Sequence, residues 1–147
     1  MKLVLQRVSK AAVIIDKKVY SSIGKGILLL VGIESHDEKI DFDYYIKKMI
    51  NLRIFNDENG KMNYSLLDTK GSILVVSQFT LCANIKKGNR PSFLSAANPK
   101  LAHNLYNKLI KKLKNYEINV EKGRFGAQMF LEFINDGPVT IIMDDKE

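Results

Sequence analysis

A run of four apolar residues, Ile73 to Val76, passes directly into the segment Ser77-Gln78-Phe79-Thr80. Such a run is typical of a buried strand. Buried strands usually end in turn residues such as Gly, Asn or Pro. Here a hydroxyl, an amide, an aromatic ring and a second hydroxyl follow instead. We therefore predict that the end of this strand forms the rim of a ligand site.

The segment after the strand has two interpretations. In the first, Ser77 and Thr80 cap the strand and Phe79 fills the core. In the second, the strand ends near Gln78, and the backbone N–H groups of Phe79 and Thr80 become free donors. Such donors suit an ester carbonyl as its oxyanion develops. The segment by itself leaves both interpretations open.

The length and composition fit one domain. A chain of 147 residues can build its own core, so we expect a single domain over residues 1–147. No stretch approaches the roughly 18 apolar residues of a membrane span, and the first residues lack the apolar region of a signal peptide. The one cysteine, Cys82, cannot form an intrachain disulfide. We therefore expect a cytoplasmic protein without a membrane segment.

Hydrophobic periodicity predicts strands and two helices. The first helix is expected to follow the capping box Ser35–Glu38 and to end near Leu52. The second should begin at Asn98-Pro99, an N-cap followed by proline. Its apolar face repeats at every fourth residue, at Leu101, Leu105, Leu109 and Leu113. Strands are predicted from the N-terminus to Ile15, then, after a turn at residues 16–18, to Tyr20, and over residues 27–31, 53–55, 72–78, 118–120, 128–134 and 139–143.

The formal charge of +7 raises the question of a polyanionic partner. Basic side chains drive most sequence-independent binding to nucleic acids by neutralising phosphates. Only four of the 23 basic residues are arginines, however. A solvated, lysine-rich surface is therefore the alternative explanation.

Conventional catalytic groups are scarce. His36 beside a helix cap and His103 on the polar side of the second helix have the pattern of surface residues. No His/Cys cluster has the spacing of a metal site, and no glycine-rich phosphate loop is present. We therefore expect no metal, no cofactor and no hydrolytic triad.

A second polar segment, Asn135-Asp136-Gly137-Pro138-Val139-Thr140, punctuates the last predicted strands. Taken alone it predicts a hairpin turn, because glycine tolerates unusual φ and proline avoids a central ladder position.

Several ordered motifs together resemble the D-aminoacyl-tRNA deacylase family. They are Gln6-Arg7-Val8, Ser77-Gln78-Phe79-Thr80-Leu81, Lys87-Gly88-Asn89-Arg90-Pro91-Ser92-Phe93, Gly123-Arg124-Phe125-Gly126-Ala127-Gln128-Met129 and the segment from Asn135 to Thr140. The resemblance covers essentially the whole chain. It implies a single three-layer α/β/β domain that works as a homodimer. It also implies hydrolysis of the ester between a D-amino acid, or glycine, and the 3′ end of tRNA.

The resemblance assigns roles to particular residues. The pocket floor, which binds the aminoacyl adenosine, would consist of Ser77, Gln78, Phe79 and Thr80. Gly137 and Pro138, joined by a cis peptide, would enter the pocket of the partner subunit and reject L-amino acids. Arg7 and Met129 would support them. The 2′-OH of the RNA would assist the reaction in place of a side chain. A separate hypothesis, which the resemblance does not supply, is that basic side chains contact the tRNA; the candidates are Lys86, Lys87 and Arg90, together with Lys111 and Lys112.

Two other functions fit the same residues. One is an RNA-binding module without catalysis, which uses the basic loop and stacks bases on Phe79 or Phe93. The other is a structural homodimer whose Gly-Pro segment only completes an interface. Release of a D-amino acid, but not its L-enantiomer, from tRNA would distinguish the enzyme from both.

Overall fold

The computed structural model describes residues 1–144, which contain eight strands and two α-helices. The strands are β1 (Lys2–Ile15), β2 (Lys18–Ile23), β3 (Gly26–Gly32), β4 (Phe55–Asn56), β5 (Met62–Tyr64), β6 (Ser72–Ser77), β7 (Asn119–Lys122) and β8 (Phe130–Asp144), and the helices are α1 (Phe42–Asn51) and α2 (Pro99–Leu113). Short 3-10 helices span Asp37–Lys39 and Phe79–Cys82. The predicted domain extends to Glu147, and residues 145–147 lie outside the described residues.

The main sheet determines where a ligand can bind. Its strand order is β2-β1-β3-β6-β7, with β8 also paired to β1, and β4 and β5 form a separate hairpin. β3 runs parallel to β6 and β6 runs parallel to β7. Val31 lies opposite Ser77, so β3 and β6 end side by side. The carboxyl ends of parallel strands are a common place for ligand binding in α/β proteins.

Both faces of the main sheet carry a hydrophobic core. On one face, Ile27 and Leu29 of β3 pack with the buried sides of α1 and α2. On the other face, Leu28 packs with buried residues of β1 and β6 and with Leu131 and Phe133 of β8. Burying a side chain of this kind contributes about 1.5–3 kcal/mol, so strands with two buried faces hold the pocket end of the sheet firmly.

β1 contributes to both cores because its register shifts. Leu3 and Leu5 lie in the helix-side core, whereas Ala11 and Val13 lie in the core on the opposite face. The pairing with β8 shifts between Val8 and Lys10, where β1 has one extra residue. An extra residue exchanges the two faces of a strand, which explains the change of side.

α2 has the predicted start, and α1 does not. The Asn98 side chain accepts a hydrogen bond from the N–H of Leu101, with Pro99 in the first turn. The predicted capping box at Ser35–Glu38 is wrong, because α1 begins at Phe42 and its N-cap is Asp41. Local spacing cannot anticipate this, because a distant contact holds the segment: the carboxylate of Asp37, within the predicted box, binds the Met1 ammonium group at 2.6 Å.

The hairpin turn predicted at Gly137-Pro138 is also wrong. β8 continues through this segment and pairs with β1 on both sides of it, Asn135 with Val8 and Thr140 with Gln6. Between these pairs β1 has one residue and β8 has four. The excess residues bulge out of the sheet as the Gly-Pro loop, residues 136–139.

None of the helices in residues 1–144 is long and apolar enough to cross a lipid bilayer.

Candidate active site

A cavity of about 520 Å³ opens at the carboxyl ends of β3 and β6. A volume of this size suits a ligand as large as a nucleoside or an aminoacyl group. The ends of β3 and β6, the residues around the start of α2 and the residues leading into β8 form its walls. The lining consists of Val31, Ile33, Val76, Ser77, Gln78, Phe79, Ala96, Ala97, Pro99, Ala102, Phe125, Gly126, Ala127, Met129 and Leu131.

The floor of the cavity forms where β6 stops. β6 ends at Ser77, and the N–H of Gln78 makes a last hydrogen bond of 2.8 Å to the Val31 carbonyl. A 3-10 helix begins at the next residue, Phe79. The N–H groups in the first turn of a helix have no acceptor within that helix. The N–H groups of Phe79 and Thr80 have no backbone acceptor outside the 3-10 helix in residues 1–144.

The side chains of the floor are tied to one another. The amide of Gln78 donates a short hydrogen bond to the Thr80 hydroxyl. Thr80 itself is exposed and does not line the cavity, whereas Ser77, Gln78 and Phe79 do. The structure therefore brings three of the four predicted floor residues to the cavity and places the fourth beside it.

Gly32 allows the floor to approach β3, and sequence reasoning missed it. A Cβ at position 32 would lie 2.8 Å from the Cβ of Leu81 and 3.2 Å from the Gln78 carbonyl oxygen. Real Cβ atoms essentially never approach another atom to within 3.0 Å, so at the 2.8 Å contact a larger residue would push the 3-10 helix away. The only sequence signal is a glycine at the end of an apolar strand, which also fits an ordinary turn.

The cavity has no side chain that can act as a base. None of its lining residues is Asp, Glu, His, Lys, Cys or Tyr. Burial raises the pKa of the nearby Cys82 thiol, which favours the neutral thiol over the nucleophilic thiolate. Within residues 1–144, no group of three His, Cys, Asp or Glu side chains is placed to hold a metal ion.

Arg7 holds the Gly-Pro loop by a hydrogen bond to its first residue, Asp136. Its side chain is 4% exposed and donates from Nε to the Asp136 carbonyl at 3.0 Å. The other branch donates to the Ile54 carbonyl at 2.7 Å and to the Asn56 side chain at 3.0 Å. A planar guanidinium is suited to several fixed acceptors of this kind. The loop is therefore anchored to the segment that follows α1.

Asn135 fixes the base of the same loop, a role that sequence reasoning did not assign. Its side-chain oxygen accepts a hydrogen bond from the Val139 N–H, and its NH₂ group donates to the Thr140 hydroxyl. The peptide between Gly137 and Pro138 is cis, as the resemblance implies. Gly137 has a φ of 125°, and a Cβ there would lie 2.8 Å from the Arg7 guanidinium. Glycine is required at this position for both reasons.

The predicted site residues do not all meet within one chain. Met129 lines the cavity beside Gly123. Gly137 and Pro138 are exposed on β8 and, like Arg7, are not part of the cavity lining. Within one chain, therefore, Arg7 supports the loop whereas Met129 belongs to the pocket.

The candidate tRNA contacts lie on an exposed projection, the basic arm, residues 84–92. Asn84 and Ser92 close its base by exchanging two backbone hydrogen bonds of 2.8 and 3.0 Å. Lys86, Lys87 and Arg90 are all exposed on the arm. The arm leaves the floor directly after the 3-10 helix and returns to the wall before α2.

The family model described as D-Tyr-tRNA(Tyr) deacylase matches residues 4–144. The chain belongs to this family. Its members hydrolyse the ester bond of D-aminoacyl-tRNA, so this deacylase is a hydrolase and its substrate is an aminoacyl-tRNA.

Two solved structures resemble the deacylase over nearly its full length. One, described as "c-Myc DNA Unwinding Element Binding Protein", is 40% identical, has a TM-score of 0.92, and the match covers 99% of each chain. The other, described as "Structural Analysis of a probable eukaryotic D-amino acid tRNA deacylase", is 17% identical, has a TM-score of 0.82, and the match covers 97% of each chain. The second similarity shows the shared fold alone.

Proposed function

We propose that this deacylase proofreads chirality, releasing D-amino acids and glycine from tRNA while sparing L-aminoacyl-tRNA, with the reaction assisted by the 2′-OH of the RNA. The observation that carries the proposal is the cavity floor. The N–H groups of Phe79 and Thr80 follow the end of β6 and have no backbone acceptor outside their 3-10 helix in residues 1–144, beside a cavity whose lining has no ionisable side chain. Such a site can bind and polarise a carbonyl but cannot take up a proton through a side chain.

Backbone donors are sufficient for an ester that is already labile. A single donor aimed at a developing oxyanion typically stabilises the transition state by about 2.7–4 kcal/mol. The ribose hydroxyl beside the ester lies within the substrate and needs only correct orientation. Ser77, Gln78, Phe79 and Thr80 are therefore proposed to bind and orient the aminoacyl adenosine rather than to attack it.

Selection against L-amino acids requires a physical block. Apolar contacts discriminate by only about 1–3 kcal/mol per methylene, and the two enantiomers differ in direction rather than in size. A rigid backbone segment in the path of the L side chain is a better device. Gly137 and Pro138 suit this role because Arg7 and Asn135 hold their loop. Glycine has no side chain to block, which explains why glycyl-tRNA should also be a substrate.

The loop would act on a second subunit. Gly137 and Pro138 are exposed and do not line the cavity of their own chain, so the proposed contact needs a partner. β8 also carries three exposed apolar side chains, Phe130 and Ile134 on one face of the sheet and Ile142 on the other. A long edge strand of this kind favours pairing with another chain. We therefore propose a homodimer of three-layer α/β/β domains over residues 1–147, working in the cytoplasm with the translation machinery.

The test compares release of D-tyrosine and L-tyrosine from tyrosyl-tRNA by the purified protein, with glycyl-tRNA as a third substrate. We expect turnover of the D-tyrosyl and glycyl esters and at least a hundredfold lower kcat/KM for the L-tyrosyl ester. Equal hydrolysis of both enantiomers would refute chiral selection. Tight binding without turnover would instead support an RNA-binding module.

A further inference from the structure

Two phenylalanine rings form an exposed pair at the mouth of the cavity. The centroids of Phe79 and Phe93 lie 5.0 Å apart, with the ring planes inclined at 67°. Phe79 is 59% exposed and Phe93 is 36% exposed. Large aromatic side chains normally gain stability from burial, so an exposed pair beside a ligand site needs an explanation.

The pair connects the cavity to the basic arm. Phe79 is part of the cavity lining, whereas Phe93 directly follows the arm, whose base closes at Ser92. A ligand that extends out of the cavity over Phe79 would therefore reach Phe93 and then the cations Lys86, Lys87 and Arg90. These cations are exposed, and no ion pair within residues 1–144 engages any of them.

The charge of the whole chain is concentrated in the segment that builds this region. Between Asp68 and Glu117 the sequence has nine Lys and Arg residues and no Asp or Glu. This segment contains the cavity floor, the basic arm and α2. Its formal charge exceeds the +7 of the entire chain, so the acidic residues that offset it all lie elsewhere in the sequence. Lys112 of α2 is paired with Asp43, so the cations that a polyanion entering the cavity would meet are the exposed ones of the basic arm.

We propose that the Phe79–Phe93 pair stacks the base of the nucleotide immediately before the terminal adenosine, and that the basic arm binds the phosphates leading to it. The proposal rests on the proposed function, because it assumes that the cavity holds the aminoacyl adenosine. Unpaired RNA ends present free base faces, and proteins recognise such ends by stacking them on aromatic rings. The arm contributes charge without reading the base.

The test uses substrates that differ by one nucleotide. The ratio of kcat/KM for D-tyrosyl-cytidylyl-adenosine to that for D-tyrosyl-adenosine measures what the added nucleotide contributes. We expect a ratio of about ten for the native protein, at the lower end of base–aromatic stacking because the rings are partly exposed. Phe93→Leu should reduce the ratio to near one, and Phe93→Tyr, which keeps the ring, should restore it. Leu94→Ala is the matched control, since Leu94 is 94% exposed and has no ring.

The outcomes separate this inference from the proposed function. If the native protein hydrolyses neither of the two small substrates nor D-tyrosyl-tRNA, the proposed function itself is refuted. Normal hydrolysis with a ratio near one, or the same ratio in Phe93→Leu and the native protein, would overturn the stacking platform alone. A change of oligomeric state in Phe93→Leu would also overturn it, since the rings would then be a subunit contact. The arm is tested separately by replacing Lys86, Lys87 and Arg90 with alanine. This change should flatten the dependence of the tRNA binding constant on salt concentration, and an unchanged dependence would exclude phosphate binding by the arm.

Discussion

At the scale of single residues, Thr80 is the decisive test of the chemistry. Its hydroxyl is exposed beside the cavity and accepts a hydrogen bond from the Gln78 amide, which cannot act as a base. We expect Thr80→Ala to lower kcat/KM for D-tyrosyl-tRNA by less than about tenfold, equivalent to roughly 1.4 kcal/mol. Thr80→Ser is the control. If Thr80→Ser kept its activity while a folded Thr80→Ala variant lost all activity, the hydroxyl would be shown to attack the ester.

Arg7 gives a second prediction at the same scale, for stability. Lysine keeps the charge but cannot reach the Asp136 and Ile54 carbonyls with one planar group, so at least one buried acceptor loses its partner. We expect Arg7→Lys to lower the free energy of unfolding by about 2–3 kcal/mol, measured in urea. Arg53→Lys is the control, because Arg53 is exposed and bonds to Asn63; this substitution should cost less than about 0.5 kcal/mol. Equal losses in the two variants would mean that burial of Arg7 is unimportant.

At the scale of elements, Tyr106 connects α2 to the strand that ends in the cavity floor. It is buried and donates a hydrogen bond of 2.8 Å to the Val75 carbonyl of β6. Burial raises the pKa of Tyr106 far above its usual value of about 10. Above pH 10 the unfolded chain therefore releases this proton and the folded chain keeps it, which lowers stability as the pH rises.

Tyr106→Phe should remove both effects. We expect a loss of about 1 kcal/mol at pH 8 from the missing hydrogen bond, and a shallower decline of stability between pH 10 and pH 12. Urea unfolding at pH 8, pH 10 and pH 12 measures the two effects, with exposed Tyr44→Phe as the control. A decline as steep as that of the native protein would assign the alkaline sensitivity to other groups.

The same scale shows what the sequence can and cannot predict. α2 follows from its own residues, because the Asn98 cap and the leucine face are local signals. The start of α1 does not, since the partner of Asp37 is 36 residues away. For the Gly-Pro loop the residues alone predict a turn, because glycine and proline are common in turns and in bulges and do not distinguish the two. Only its pairing partner, β1, reveals that β8 continues on both sides.

At the scale of the whole molecule, the site residues predicted from sequence fall in two places. Ser77, Gln78 and Phe79 lie at the cavity, and Gly137 and Pro138 lie on exposed β8. The motifs identified both groups, but no local pattern can show whether they meet within one subunit or between two. A mixture of two variants can decide this.

The first variant, Ala102→Phe, fills the cavity and should abolish hydrolysis of both enantiomers while leaving the loop intact. The second, Gly137→Ala, displaces the loop through the clash with Arg7 and should raise hydrolysis of L-tyrosyl-tRNA at least tenfold. If the loop acts across subunits, a mixed dimer places the intact loop of the first variant over the open cavity of the second. Subunits are exchanged by mild denaturation with a tenfold excess of Ala102→Phe. Hydrolysis of L-tyrosyl-tRNA per Gly137→Ala chain should then fall, whereas hydrolysis of D-tyrosyl-tRNA should persist. Unchanged L-hydrolysis, with mixed dimers verified by differential tagging, would mean that each loop serves its own cavity.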